Sequence, residues 1–141
     1  MEKKVFVFIF IFLKKKSYKH NFTMFKSIRT FIGAKNFQES SNFYKDLGFS
    51  ELIISENMSF FKVDENLGFY LQRAFVKDWV DNSMLFLEVD DIEAYLKEIE
   101  SKNLTEKYKK VKLSKIVDND WGRELFLHDP SGILWHIGSF Y

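Results

Sequence analysis

One order of elements is written twice along this chain, and that repetition constrains the fold more than any other feature. Around Ile32, Asn36 and Phe37 a β-favouring run passes into a helical one, and 55 residues later Leu87, Asp91 and Ile92 make the same passage. Asn and Asp accept hydrogen bonds from the free N–H groups of a helix's first turn, so both positions are expected N-caps. Phe37, Ser41, Tyr44 and Leu47 then follow helical spacing until Gly48 stops the run, while Ile92, Tyr95, Leu96 and Ile99 do so until Asn103. An alternating strand run precedes each helix, over residues 25–33 and 83–89. Three follow each one, over 50–55, 58–63 and 68–73, and over 110–117, 123–128 and 133–140. Polar turns at Glu56-Asn57, Asp64-Glu65-Asn66 and Asp129-Pro130-Ser131-Gly132 separate them. The expectation is an α+β fold of two βαβββ modules, roughly 25–73 and 83–141, within one domain spanning 24–141.

Charge separates the first residues from the rest. Six of the 21 basic residues and one of the 20 acidic ones fall in residues 1–24, which leaves 15 basic against 19 acidic in the body. The apolar run from Val5 to Leu13 is too short for a bilayer span, which needs about 20 residues. No small-residue cleavage site follows it, so residues 1–23 read as a leader or disordered extension outside the fold. A formal charge of +1 offers nothing for a phosphate backbone, and neither nucleic acid nor membrane is an expected partner. The chain has no cysteine, which excludes disulfides, thiolate nucleophiles and Cys-type metal sites and fits a reducing, cytoplasmic setting. Seventeen Phe among 141 residues are far above ordinary usage, a large apolar payload to bury from which rings are also expected to line a pocket.

Phe43-Tyr44 with Leu47-Gly48-Phe49, the stretch WGRELFLHD and the terminal DPSGILWHIG, set on a paired βαβββ order, resemble the vicinal oxygen chelate superfamily over residues 25–141. That superfamily includes glyoxalase I, extradiol dioxygenases and bleomycin-resistance proteins. The resemblance implies sheets rolled into a half-open cup, helices outside, the cavity inside, and short-chain members pairing as homodimers. Metal-using members place ligands on the first, fourth, fifth and eighth strands. The matching positions here are Arg29, Tyr70 or Gln72, Met84 and His136. A guanidinium offers only donors and a thioether suits soft copper, so one good ligand, His136, remains and no metal or other cofactor is expected.

Strand alternation then selects the cup lining. With Arg29 pointing in, Phe31 does too, while Ile28, Thr30 and Ile32 back onto a helix. Met84, Phe86 and Glu88 point in, and Leu85, Leu87 and Val89 out. Glu124, Phe126, Leu134 and His136 join the lining with Tyr70 and Gln72, and Trp121 and Trp79 stand in connecting segments as lids or loop anchors. An aromatic wall with one Arg, two Glu, one Gln and one His suits a planar or anionic organic ligand, held by stacking and a few directed hydrogen bonds. Three readings stay open: a metal-free binding protein that sequesters such a ligand, a glyoxalase-like lyase or dioxygenase with an atypical site in which His136 and a Glu act as base and orienter, and a structural dimeric domain whose cup is self-filled, Arg29 pairing with Glu88 or Glu124.

Overall fold

Both long helices begin with the same device. In the computed structural model, which describes residues 24–141, Oδ1 of Asn36 accepts from the Glu39 N–H at 3.1 Å and Oδ1 of Asp91 from the Ala94 N–H at 2.9 Å. Both caps are extended, with φ/ψ of −122°/103° and −133°/99°. The expectations for residues 1–23 lie outside the described residues.

The first module is β1 (Phe31–Gly33), α1 (Phe37–Leu47), β2 (Ser50–Ser55), β3 (Met58–Asp64) and β4 (Leu67–Gln72). A connecting helix, α2 (Lys77–Asp81), leads to β5 (Met84–Glu88), α3 (Ile92–Ser101), α4 (Leu104–Lys107), β6 (Lys112–Leu113), β7 (Val117–Asn119), β8 (Gly122–His128) and β9 (Leu134–Phe140). Sheet order repeats with the elements: β1-β4-β3-β2 in one module and β5-β9-β8-β6 in the other, with β7 also on β8. In both, the strand before the helix pairs parallel with the last strand of its module, and the remaining pairs are antiparallel.

Several boundaries depart from the sequence reading. The first strand is three residues long because Met24 to Thr30 are exposed, and beyond Thr30, whose carbonyl accepts from the Tyr70 N–H at 3.0 Å, they form no ladder. Ile28 and Thr30 therefore back onto no helix, whereas Ile32 does and is 2% exposed. The expected strand over 110–117 is two short ones. Ser114 interrupts it: its Oγ accepts the Phe126 N–H at 2.8 Å and donates to the Lys115 carbonyl, so a side chain takes over ladder duty and the strand breaks. The second long helix ends at Ser101, and Asn103, at φ 53°, starts α4 instead of closing α3. Trp79 sits on α2, which periodicity alone did not reveal.

The core lies on the helix side of both sheets and is shared between modules. Tyr44 of α1, fully buried, packs on Phe69 of β4 with ring centroids 4.9 Å apart and on Trp135 of β9 at 6.0 Å. Its hydroxyl donates to Asp129 Oδ2 at 2.8 Å and accepts from Trp135 Nε1 at 3.2 Å. Asp129 Oδ1 in turn accepts from the Ser131, Gly132 and Ile133 N–H groups at 2.9, 2.8 and 2.8 Å, which fixes the β8–β9 turn. A helix of the first module is thus tied to a turn of the second. No helix among the described residues is long and apolar enough to cross a membrane.

Candidate functional site

The helix-free face of each sheet carries a row of rings in matching register. Phe31 pairs with Tyr70 and Tyr70 with Phe60 across β1, β4 and β3; Phe86 pairs with His136 and His136 with Phe126 across β5, β9 and β8. The duplication thus extends to the side chains. Phe31 stacks on Tyr70 at 4.6 Å with 15° between planes, and Phe60 meets Tyr70 at 5.2 Å. Phe126 meets His136 edge-on at 5.1 Å, and Phe86, Trp121 and Phe140 form a triangle with centroids 5.2–5.9 Å apart. These rings are far from buried: Phe31 is 53% exposed, Phe86 47% and Phe140 57%. Glycine makes room for two of them. A Cβ at Gly138 would stand 2.8 Å from the Phe86 ring, and one at Gly68 would stand 2.3 Å from the Phe60 ring.

Each row has its own polar group. Arg29 is exposed; its Nη1 donates to the Tyr70 hydroxyl at 3.3 Å and its guanidinium lies 4.3 Å from the Phe60 ring centre, a cation–π contact. His136 Nδ1 lies 2.9 Å from Glu124 Oε2, while Glu124 Oε1 accepts from Asn119 Nδ2 at 3.0 Å. An ionised carboxylate only accepts, so the neutral tautomer that makes this bond is the one with its proton on Nδ1 and its lone pair on Nε2. The His–Glu pairing is the arrangement expected of a base with an orienting carboxylate.

The predicted site residues fall into two groups, with others apart. Arg29, Phe31 and Tyr70 stand together on the first sheet. Phe86, Trp121, Glu124, Phe126 and His136 stand on the second, with Met84 63% exposed beside Leu134 in register. No hydrogen bond, ion pair or ring contact among the described residues joins one group to the other. The ion pair of Arg29 with Glu88 or Glu124, which the self-filled reading of the cup required, is not formed, since Arg29 reaches Tyr70 and Glu124 is held by His136 and Asn119. Gln72 borders a small cavity with Trp79 and Val80, and Glu88 is exposed at a groove between the modules. Leu85 and Leu87, half-buried, pack against the core as alternation suggested and also line that groove.

Two further residues belong to the rows, Phe60 and Phe140. Alternation could have found Phe140, two positions beyond Gly138 and in step with Leu134 and His136. Phe60 needed the β3–β4 register. Of the side chains at the positions where metal-using members of the superfamily place ligands, Arg29 offers a cation, Met84 a thioether, Tyr70 already accepts from Arg29 and Gln72 borders a separate small cavity, which leaves His136 as the one good ligand. Among the described residues no three His, Asp or Glu side chains gather around one point.

No family model and no curated protein sequence matches the chain. Solved structures do. A bleomycin-binding protein complexed with bleomycin superposes with a TM-score of 0.69 at 17% identity, over 82% of this chain and 98% of that one. A bleomycin-binding protein from bleomycin-producing Streptomyces verticillus, complexed with copper(II)-bleomycin, gives 0.68 at 17% identity over 83% and 98%. A glyoxylase/bleomycin resistance protein/dioxygenase domain from Frankia sp. EAN1pec gives 0.63 at 13% identity over 80% and 90%. Identities this low speak for architecture alone. With two α+β modules in repeated order and these neighbours, the chain has the vicinal oxygen chelate fold.

Proposed function

We propose that this protein sequesters a small organic molecule, planar or aromatic with an anionic substituent, on its ring-lined faces and without a metal centre. The observation that carries the reading is the pair of half-exposed aromatic rows, one of them bearing an exposed guanidinium that no carboxylate among the described residues neutralises. Exposed rings in register are stacking surfaces. Arg29 adds the bidentate, charge-assisted contact that selects an anion. Neighbours of this fold that bind bleomycin support small-molecule binding.

Two copies would face their rows across a homodimer and enclose what one chain leaves open. Exposed Leu52, Ile53 and Ile54 on the edge strand β2 supply apolar surface for such an interface. The absence of cysteine supports a cytoplasmic setting.

One observation favours a second reading, an acid/base enzyme: His136 is oriented by Glu124 with Nε2 free to take a proton. Native mass spectrometry of protein purified from its own cells separates the possibilities. A co-purified organic mass without metal is expected. Turnover of that compound, unaffected by a chelator, would favour the enzyme, and an empty protein that binds no aromatic anion would leave only a structural dimer.

A further inference from the structure

The duplication leaves the two seams between the modules unequal. Register equates Phe31 with Phe86 and Tyr70 with His136, so β1 maps onto β5 at an offset of 55 residues and β4 onto β9 at 66. At the first seam Val80 of α2, 2% exposed, is buried over Gly33 and Gly132, and only about 50 Å³ remains beside Phe31 and Gly33. The second seam is bounded by the equivalents of those strand residues, Phe86 and Glu88. There a groove of about 530 Å³ stays open over Phe69, Trp135, Leu85 and Leu87. Ile133 at the plugged seam is 0% exposed, whereas its equivalent Leu67 at the open one is 53% exposed.

We propose that this groove is the seat of Phe25, the residue that stands before β1 as Val80 stands before β5. Val80 touches the end of β1 and the turn before β9; the same offsets put Phe25 against Glu88, at the end of β5, and against Asn66 and Leu67, at the turn into β4. Phe25 and its neighbour Met24 are 83% and 86% exposed, apolar side chains that the described residues leave uncovered. Charge agrees with the assignment. Glu88 and Asp90 edge the groove, Asp64 and Glu98 edge the cavity adjoining it, no basic side chain among the described residues lines either, and Lys26 follows Phe25. The segment before the first strand is therefore the missing counterpart of α2, and its docking closes the second seam.

The chain has no cysteine, so a disulfide trap is unambiguous. The full chain carrying Lys26→Cys and Glu88→Cys, both at exposed positions and with Phe25 kept, should form an intrachain bridge under mild oxidation, because docking of Phe25 brings its neighbour towards the roughly 4.4–6.8 Å between Cα atoms that a disulfide spans. Peptide mass mapping identifies it. Lys26→Cys with Lys110→Cys serves as the control pair. Phe25→Ser should raise the binding of an apolar dye such as 1-anilinonaphthalene-8-sulfonate several-fold. Bridging no faster than in the control, a bridge that joins two chains, or dye binding unchanged by Phe25→Ser would overturn the proposal.

Discussion

Asp129 holds the two modules together and carries the clearest pH signature in the molecule. Burial pushes its carboxyl up to about 6 from 3.8, although the Tyr44 hydroxyl and the Ile133, Ser131 and Gly132 N–H groups pull it down. A folded value above the unfolded one means that the fold favours the protonated acid. This contribution is fully present below about pH 4, is lost as pH rises to about 6, and is flat beyond; a gap of about two pH units amounts to roughly 3 kcal/mol. Denaturant melts should show stability falling over that window, and Asp129→Asn should remove the slope. Tyr44→Phe takes a donor from Asp129 and an acceptor from Trp135 Nε1, at a cost of about 2 to 4 kcal/mol. Asp129 was readable in the sequence as a turn residue but not as a keystone, because its partner Tyr44 lies 85 positions away. Arg29 was readable as a donor that cannot bind a metal, but its partner Tyr70 was not, since alternation fixes a face and not a distance. With no carboxylate to strand, Arg29→Ala should change stability by less than about 0.5 kcal/mol.

At the scale of elements, the two N-caps were the most legible feature, because capping is local chemistry. Asn36→Ala and Asp91→Ala should each cost about 1 kcal/mol, and the double variant about the sum, since their helices belong to different modules. Costs that differ by more than about 1 kcal/mol would contradict the equivalence of the two capped helix starts. Strand ends were less legible. The shortened β1 and the break at Ser114 depend on which neighbour supplies ladder partners, and α2 is too short to have a period. Gly138 shows how an element serves the site: it lets the Phe86 ring lie against β9. Gly138→Ala must displace that ring, and is expected to weaken any ligand stacked there several-fold.

For the whole molecule, order of elements and turn chemistry carried the fold, because a sequence that writes the same module twice leaves few arrangements. The site was legible as a set of faces and not as an assembly, since no hydrogen bond, ion pair or ring contact among the described residues joins the two rows. A light-scattering mass near 16.9 kDa at micromolar concentration would contradict the homodimer proposed above. Deleting residues 1–23 should leave the melting temperature within about 4 °C, which corresponds to about 1 kcal/mol for a chain of this size. The most direct test of sequestration is calorimetric titration of the unmutated protein, Arg29→Ala and Phe86→Ala with 2-naphthoate and with its neutral amide. Saturable binding of the anion is expected, weakened roughly tenfold or more by Arg29→Ala at unchanged stability, weakened also by Phe86→Ala, and unaffected by a chelator, with the amide indifferent to Arg29. Anion and amide that bind alike in all three proteins, or binding that requires an added divalent metal, would contradict the account.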